Sequence, residues 1–230
     1  INGNSTDHVL FEALDSEWIG MAFTDDCSTG TDDRHVFSYV DFKNTSDAAI
    51  AAGSRHGSSP SSNGNVGNFT MDHVTFTNVY SAFEHGSGQG TVISMTDFEV
   101  NDASNACFNF AEDSEVTLRD GKMEDCNSNG DSTGGAILNV AGSNGGSLIL
   151  ENVEIVDSFV NLINIDFESV WISNVTATSA SSQLGTVVTS AGDGADSSFY
   201  VFNMEATGYA NSAIHALDTL SMEDVNWGTA

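Results

Sequence analysis

Apolar and polar residues alternate along the chain in a ten-residue pattern that recurs eight times. The pattern reads apolar, any, apolar, any, mostly Asn or Asp, apolar, any, apolar, any, and then Asn, Asp or a small residue. Alternation with a period of two is typical of a β-strand with one buried face. The pattern therefore predicts an all-β chain built from similar units. The eight segments begin at His35, Phe69, Ile93, Val116, Leu148, Val170, Phe199 and Leu220.

The alternation changes phase at the fifth position of each segment. Apolar residues occupy positions one and three before it and positions six and eight after it. A strand cannot move its apolar side chains from odd to even positions without a bend, so we expect a corner there. Most residues at this position are Asn or Asp, which tolerate a left-handed backbone better than other non-glycine residues. The fifth-position residues are Tyr39, His73, Asp97, Asp120, Asn152, Asn174, Asn203 and Asp224.

The sixth position gives an anchor from which the repeat length can be measured. The anchors are Val40, Val74, Phe98, Gly121, Val153, Val175, Met204 and Val225. Their spacings are 34, 24, 23, 32, 22, 29 and 21 residues, so the natural unit has about 22 residues and the longer units carry insertions.

A shorter apolar segment follows most of the long ones and predicts a second strand in each unit. Aligned from its first small residue, this segment has an apolar second position throughout: Ala49, Phe83, Cys107, Ile137, Leu162, Val187 and Ile214. The same alignment places Asn109, Asn139 and Asn164 in one column, where stacked amides would hydrogen-bond as in cross-β ladders.

In several units both faces of the second strand are apolar. The residues concerned are Cys107, Phe108, Ile137, Leu138, Leu162, Ile163, Val187 and Val188. A strand that is apolar on both faces is normally buried on both faces, so it needs a cover. An insertion, residues 1–34 or another subunit would supply that cover. Since no amphipathic element is long enough to cover all the units, the pattern favours self-association into an oligomer or filament.

The short strands, the Asn and Asp corners and the unit of about 22 residues resemble the right-handed parallel β-helix repeat family, which includes pectate-lyase-like proteins and β-helical adhesins. Gly134-Gly135-Ala136-Ile137, Phe42-Lys43-Asn44 and Phe76-Thr77-Asn78 are similar to repeats of that family, and the likeness covers residues 35–227. The resemblance implies an all-β, right-handed parallel β-helix, a solenoid of about eight to nine coils. It indicates no single activity, because the family includes lyases, hydrolases, adhesins and tail spikes.

The expected organisation is a parallel β-helix over residues 35–230, preceded by residues 1–34, which lie outside the clean pattern. Thr6 or Asp7 would begin a capping helix before Val9, or Phe11 would lie in a degenerate first coil. The sequence leaves these two alternatives open.

The composition narrows the possible partners. The chain has 33 Asp plus Glu against 5 Lys plus Arg, for a formal net charge of −28. Nucleic acid is excluded, because phosphate binding needs clustered Lys and Arg. No run of 18 apolar residues occurs, so we expect no membrane insertion. Glycosylation-type sequons at Asn4, Asn44, Asn68 and Asn174 and the depletion of Lys favour an extracellular or cell-surface location.

One segment resembles the first half of a calcium-binding loop. Oxygen-bearing side chains stand at its first, third and fifth positions, and Gly130 stands at the sixth, where such loops need a sharp turn. The twelfth position is Ala136 instead of the usual bidentate Glu. Calcium is therefore the candidate cofactor, and an ordinary polar loop is the alternative. The candidate ligands are Asp125, Asn127, Asn129 and Asp131.

No catalytic arrangement emerges from the pattern. The carboxylate pairs Asp25-Asp26 and Asp32-Asp33 and the dipeptide Glu84-His85 do not recur at one position of neighbouring units. The six His residues show no metal-binding spacing, so each is expected to be structural. The three Cys residues lack a Cys-x-x-Cys spacing, and an oxidising compartment would allow one internal pair with one thiol left over. They are Cys27, Cys107 and Cys126.

The sequence therefore favours a non-enzymatic extracellular β-helix that self-associates, as a surface-layer, sheath, filament or adhesin subunit. The alternative is a carbohydrate-active β-helix enzyme or a lectin-like binder acting on neutral polysaccharide. Aromatic platforms at Trp171, Tyr200 and Trp227 and a pair of acids in a groove would favour the alternative.

Overall fold

In a computed structural model of the chain, described residues form β-strands joined by turns and short connections, with no helix. The structure describes residues 1–13, 18–23, 34–52, 67–85, 91–110, 114–129, 135–139, 146–158, 161–165, 168–183, 188–190, 198–209, 214–215 and 219–227. The expected all-β class is confirmed. A search of the same residues for a helix long and apolar enough to cross a membrane finds none.

The strands alternate between two sheets, which we call the long sheet and the short sheet. The long sheet consists, in spatial order, of β1 (Val9–Glu12), β3 (Arg34–Lys43), β5 (Asn68–Val79), β7 (Val92–Ala103), β9 (Glu115–Cys126), β11 (Ser147–Val156), β13 (Ser169–Gln183), β15 (Ser198–Tyr209) and β17 (Thr219–Trp227). The short sheet consists of β2 (Met21–Phe23), β4 (Ala48–Ala52), β6 (Ser81–His85), β8 (Phe108–Phe110), β10 (Gly135–Asn139), β12 (Asn161–Ile165), β14 (Val188–Ser190) and β16 (Ile214–His215).

Within each sheet the strands follow one another in chain order and pair in parallel. A hairpin cannot join parallel neighbours, so the chain leaves the long sheet, forms a strand of the short sheet and then returns. Residues 1–34 contribute β1 and β2, which pair with β3 and β4.

The register of the long sheet confirms the sixth-position column predicted from the sequence. Val40 lies opposite Val74 and Val74 opposite Phe98, while Gly121 lies opposite Val153. Beyond Val153 the column continues through Val175, Met204 and Val225. Val9 of β1 lies opposite Val40 and extends the same column by one strand.

The predicted corner at the fifth position is also confirmed. All eight fifth-position residues, from Tyr39 to Asp224, have φ between 48° and 55°. Residues at the tenth position, near the end of the long strand, form a second column with left-handed backbones. Its non-glycine members are Asn44, Asn78, Asp102, Asp125 and Asp157, with φ between 48° and 61°.

The core lies between the sheets and is built from stacked columns of apolar side chains. Phe11, Phe42 and Phe76 form one such column, with ring centroids 5.4 and 5.2 Å apart and nearly parallel planes. Gly121 interrupts the sixth-position column for a steric reason, because the ring of Phe98 occupies the space that a Cβ would fill. That ring also packs edge-on against Phe108 of the short sheet.

The short sheet has a different register from the one that the sequence alignment predicted. Ile137 lies opposite Phe108 and Ile163, whereas the alignment had placed it with Cys107 and Leu162. The alignment assumed that each short strand begins at its small residue, but β10 begins at Gly135, one residue before Ala136, and Gly135 lies opposite Asn161. The alignment of β10 was therefore wrong by one residue, whereas β8 and β12 keep the predicted alignment with each other.

The predicted asparagine ladder of the short sheet is wrong for the same reason. Leu138 lies opposite both Asn109 and Asn164, while Asn139 lies opposite Phe110. A continuous ladder of Asn109, Asn139 and Asn164 therefore cannot form.

Several of the residues expected to need an external cover are already buried within the single chain. Cys107, Phe108 and Ile137 have no exposed surface, and no residue of Ala48–Ala52 is more than 2% exposed although neighbouring side chains point to opposite faces. The chain itself covers these residues, so they give no support to self-association. The side chains of Leu138, Leu162, Ile163 and Val188, and the whole of Val187, lie outside the described residues.

His85 is a buried titratable group at the end of β6. It is 5% exposed, and its ring nitrogens lie 3.0 Å from the hydroxyls of Ser114 and Thr91. Burial lowers the pKa of His85 from 6.5 to about 4, because the surrounding protein solvates the imidazolium poorly.

We predict that acid destabilises the fold through His85. Between pH 6.5 and 4 the unfolded chain binds a proton at this residue and the folded chain does not, so the free energy of unfolding falls as the pH falls. The full effect of this one group is about 3 kcal/mol. Urea unfolding at several pH values, compared between the wild type and His85→Gln, measures it, since the carboxylates are common to both. An equal pH dependence in the two proteins would contradict the prediction.

Candidate functional site

The fifth-position corners form a ladder of chemically active side chains on the surface of the long sheet. Because every corner has the same left-handed backbone, the side chains project alike, one strand spacing of about 4.8 Å apart. The ladder begins with three rings. His8 packs edge-on against Tyr39 at 5.5 Å between centroids, and Tyr39 stacks on His73 at 4.4 Å.

The far part of this corner ladder is a chain of amide hydrogen bonds. Asn203 Nδ2 donates to Asn174 Oδ1 at 2.8 Å, and Asn174 Nδ2 donates to Asn152 Oδ1 at 3.0 Å. Asn152 Nδ2 then donates to Asp120 Oδ1 at 2.8 Å. An amide side chain both donates and accepts hydrogen bonds, so it can bond to a neighbour on each side. An ionised carboxylate only accepts hydrogen bonds, so the chain of bonds ends at Asp120. The ladder predicted for the short sheet is thus formed at the corners of the long sheet.

A groove of about 530 Å³ runs beside the ladder, and we call it the corner groove. Its lining residues are His8, His73, Thr75, Asp97, Phe98, Glu99, Asp120, Gly121, Lys122, Asn152 and Glu154. Four of these eleven residues are acidic, and Lys122 is the one Lys or Arg among them.

Lys122 Nζ donates to Glu124 Oε2 at 2.5 Å. This hydrogen bond, together with the negative charges of Glu124, Glu154 and Glu99, raises the pKa of Lys122. Lys122 therefore carries a positive charge at neutral pH and offsets part of the groove's negative charge.

The ladder contains one cluster with metal-binding side chains. Ligand atoms of Asp72, His73 and Asp97 lie within 4.8 Å of one another. His73 Nδ1 lies 3.0 Å from Asp72 Oδ1, and its Nε2 lies 3.7 Å from Asp97 Oδ2. The buried Nδ1 makes no hydrogen bond, so the short distance to Asp72 is not matched by favourable angles. One imidazole and two carboxylates are the donors that Zn²⁺ and similar divalent ions use.

Sequence reasoning treated His73 as structural and missed this cluster. The signal was present in the fifth-position column, where His73 and Asp97 are adjacent and Asp72 precedes His73. A search for spacing along the chain could not find it, because parallel pairing brings together residues 24 positions apart.

The proposed calcium loop lies at a corner of the repeat. Asp125 and Asn127 both have left-handed backbones, with φ of 52° and 59°. The main-chain amides of Asn127, Ser128 and Asn129 donate to carbonyls of the preceding connection. Turn geometry thus accounts for part of the Asn- and Asp-rich pattern. Asp131 lies outside the described residues, and calcium binding stays a prediction.

Burial raises the pKa of Asp125, and the negative charges of Asp157, Glu124 and Asp102 raise it further. Asp102 and Asp157 occupy the same tenth position as Asp125 on the strands to either side. The three carboxylates therefore form a column of like charges.

The other candidates for chemistry are not brought together. Asp25-Asp26 and Asp32-Asp33 lie outside the described residues. His85 is held in the interior by two hydroxyls, while Glu84 Oε1 accepts a hydrogen bond from Ser81 Oγ at 3.2 Å.

A disulfide links Cys107 to Cys126, with the two Cα atoms 5.2 Å apart. It joins the residue before β8 to the last residue of β9, and so connects consecutive units. This is the one internal pair that the sequence allowed. Cys27 lies outside the described residues.

A second candidate surface is formed by exposed aromatic residues on β13 and β15. Trp171 and Tyr200 lie opposite each other in register and are each 46% exposed, with ring centroids 5.7 Å apart. Phe202, two residues further along β15, is 38% exposed. We call these three residues the aromatic face. The side chain of Trp227 lies outside the described residues.

Comparison of the chain with protein-family models, curated proteins and solved structures finds no match. The corner groove and the aromatic face are therefore interpreted from their own geometry.

We predict that Asp125→Asn stabilises the protein at neutral pH. The raised pKa of Asp125 means that its ionisation opposes folding, so its favourable contribution exists below its ordinary pKa of 3.8 and is lost as the pH rises through the folded value. Asn keeps the tolerance for a left-handed backbone and removes the repulsion, a gain of about 0.5 kcal/mol. Thermal unfolding at pH 7 and pH 3 measures it, and the gain should vanish at pH 3.

The same variant tests the calcium prediction. If Asp125 is a ligand, saturating Ca²⁺ should raise the melting temperature of the wild type and have a smaller effect on Asp125→Asn. An identical response of both proteins to Ca²⁺ and to chelator would show that Asp125 is not a ligand.

Proposed function

We propose that the chain is a right-handed parallel β-helix with one coil for each strand of the long sheet. The alternation of strands between two parallel sheets and the repeated unit of about 22 residues support this interpretation. Right-handedness follows from the general rule for crossovers between parallel strands.

The proposed location is extracellular or at a cell surface. The Cys107–Cys126 disulfide supports it, because such bonds persist in oxidising compartments. The net charge of −28 also suits a chain that must stay soluble when exposed.

The proposed role is structural or adhesive, and its chemistry is the binding of a neutral glycan. The observation that carries it is the aromatic face: Trp171, Tyr200 and Phe202 present large apolar rings to solvent on a surface made of rigid strands. Exposed aromatic rings supply contact area at a small cost in side-chain entropy, and the indole and phenol groups also offer hydrogen bonds. The strongly negative charge of the chain disfavours acidic glycans as ligands.

A carbohydrate-active enzyme that uses the corner groove is the alternative. The corner groove holds Asp97 and Asp120 on neighbouring strands, and glycoside hydrolases use a pair of carboxyl groups. Binding with release of reducing ends would favour the enzyme, and binding without it favours the adhesive role.

A second candidate function is self-association through the aromatic face. Contiguous exposed apolar groups of this kind often mark contacts between proteins. The charge of −28 opposes contact between two copies, so such an assembly would depend on salt.

We predict that replacing both Trp171 and Tyr200 by Ala lowers the affinity for a neutral polysaccharide by at least about tenfold, because the stacking surface is lost. Affinity electrophoresis and calorimetry with a soluble glucan, mannan and galactan measure it. Val36→Ala is the matched control, since Val36 occupies the second position of its strand, like Trp171, and is also 46% exposed. Equal binding by the double variant and the control, or no binding by the wild type, would contradict the proposal.

We predict that association, if the aromatic face mediates it, grows as salt rises. Salt screens the repulsion between the acidic chains and leaves apolar contact intact, whereas contact through ion pairs would weaken. Sedimentation from about 10 mM to 1 M NaCl, with and without Ca²⁺, measures the mass distribution. The double Ala variant should remain monomeric throughout. A wild type that is monomeric at every salt concentration, or that dissociates as salt rises, would count against this candidate.

A further inference from the structure

The four sequon asparagines of the chain lie in different structural settings. Asn44, Asn68 and Asn174 belong to the ladders and strands of the long sheet, whereas Asn4 lies in a turn that precedes β1. An enzyme that modifies the folded chain must reach the amide nitrogen, so these settings decide which sequon can react.

The turn at Asn4 projects from the corner of the first unit. Asn2 lies opposite Ser38, and Val9 lies opposite Val40. The six residues 3–8 therefore span the part of the chain that corresponds to the single residue Tyr39 in β3. The extra residues close on themselves, because Asn4 N donates to Asp7 O at 3.1 Å and Asp7 N donates to Asn4 O at 3.2 Å. Residues 4–7 are all exposed.

Within this turn the Asn4 side chain is held by its oxygen. Asn4 Oδ1 accepts hydrogen bonds from Thr6 N at 3.0 Å, from Thr6 Oγ1 at 2.7 Å and from Asp7 N at 3.0 Å. Among the hydrogen bonds of the described residues, none uses Asn4 Nδ2 as a donor. The sequon hydroxyl of Thr6 and the amide nitrogen that would react are therefore presented together on the surface.

The three bonds to Oδ1 also favour reaction at nitrogen. When the amide loses a proton, the negative charge spreads onto its oxygen, and donors placed at that oxygen stabilise the charge. An otherwise weak nucleophile is thereby activated in the folded chain.

The other sequons use their side chains to hold the fold. Asn174 Nδ2 donates to Asn152 while its Oδ1 accepts from Asn203. Asn44 Nδ2 donates to Glu12 Oε1 at 3.1 Å, and its Oδ1 accepts from Asn78 Nδ2.

Asn68 stands at the first position of β5, and its Oδ1 accepts a hydrogen bond from Val92 N of the neighbouring strand at 3.3 Å. The amide nitrogens of Asn44 and Asn174 become available to an enzyme only if hydrogen bonds between strands open, whereas Asn68 is held through its oxygen alone.

We propose that Asn4 is an N-glycosylation site of the folded protein, and that Asn44 and Asn174 are protected by hydrogen bonds of the long sheet. In the reaction Asn4 Nδ2 attacks C1 of a sugar held by a glycosyl phosphate or nucleotide donor. The Nδ2–C1 bond forms, the bond from C1 to the phosphate oxygen breaks, and the phosphate leaves with the electron pair. A base of the transferase takes the Nδ2 proton. This proposal does not depend on glycan binding by the aromatic face.

The test compares the folded protein with its own peptides. A soluble sequon-specific N-glucosyltransferase with UDP-glucose is applied to the native disulfide-bonded protein and to a digest cut after Glu residues, and peptide mass spectrometry measures occupancy at each sequon. Because two hydrogen bonds must open before Asn44 or Asn174 can react, Asn4 should react at least about fivefold faster than either of them in the folded protein. In the digest the preference should disappear.

Thr6→Val and Thr6→Ser are the matched variants. Loss of the hydroxyl in Thr6→Val should abolish modification of Asn4 and leave the other sequons unchanged, and Thr6→Ser should retain it. The proposal is overturned if the native protein reacts at Asn174 or Asn44 as fast as at Asn4. It is also overturned if native Asn4 stays unmodified, whether or not the Asn4 peptide reacts.

Discussion

The left-handed backbone at the fifth position of each long strand is the constraint on which the rest of the structure depends. It moves the apolar side chains from odd to even positions, which lets one strand bury residues on both sides of a bend. It must also occur at the same place in every unit, because parallel neighbours share one register. Few residue types tolerate this backbone, so the column is restricted mainly to Asn and Asp. The surface chemistry of the long sheet is therefore in large part a consequence of backbone geometry.

The choice between Asn and Asp at these corners sets the local electrostatics. Where Asn repeats, as at Asn152, Asn174 and Asn203, neighbouring side chains hydrogen-bond to each other. Where Asp repeats at the tenth position, as at Asp102, Asp125 and Asp157, neighbouring side chains repel and one pKa is raised. Both residues satisfy the backbone, but only Asn also stabilises the stack. In this chain of 33 acidic residues, some corners therefore carry neighbouring carboxylates that repel each other.

The long sheet could be predicted from the sequence because two independent signals coincide there. The apolar alternation and the Asx corner fix the same register, and the observed column through Val40, Val74 and Val153 follows from either signal. The short strands lack a corner residue of this kind, and a small residue alone did not fix where β10 begins. The resulting shift of one residue separated Asn109 from Asn139.

The candidate site was harder to predict, because its members come from different units. The rings of Tyr39 and His73 could be aligned from the sequence, but the direction in which a left-handed residue projects depends on the backbone. The sequence analysis named Trp171 and Tyr200 as aromatic platforms, and their pairing follows from the repeat because both stand at its second position. The setting of Asn4 gave no sequence signal beyond the sequon, since the turn lies outside the repeated pattern.

The Cys107–Cys126 disulfide has a consequence for how the structure comes apart. In each sheet a strand pairs only with the strands on either side, so unfolding can begin at an end and proceed one unit at a time, each step costing only one interface. A covalent link between consecutive units, closing a sequence separation of 19 residues, makes these two units open together. Unfolding that advances from either end then reaches two linked units near the middle of the stack, which must open in one step. The bond thus sets a boundary between a part that can fray and a part that persists.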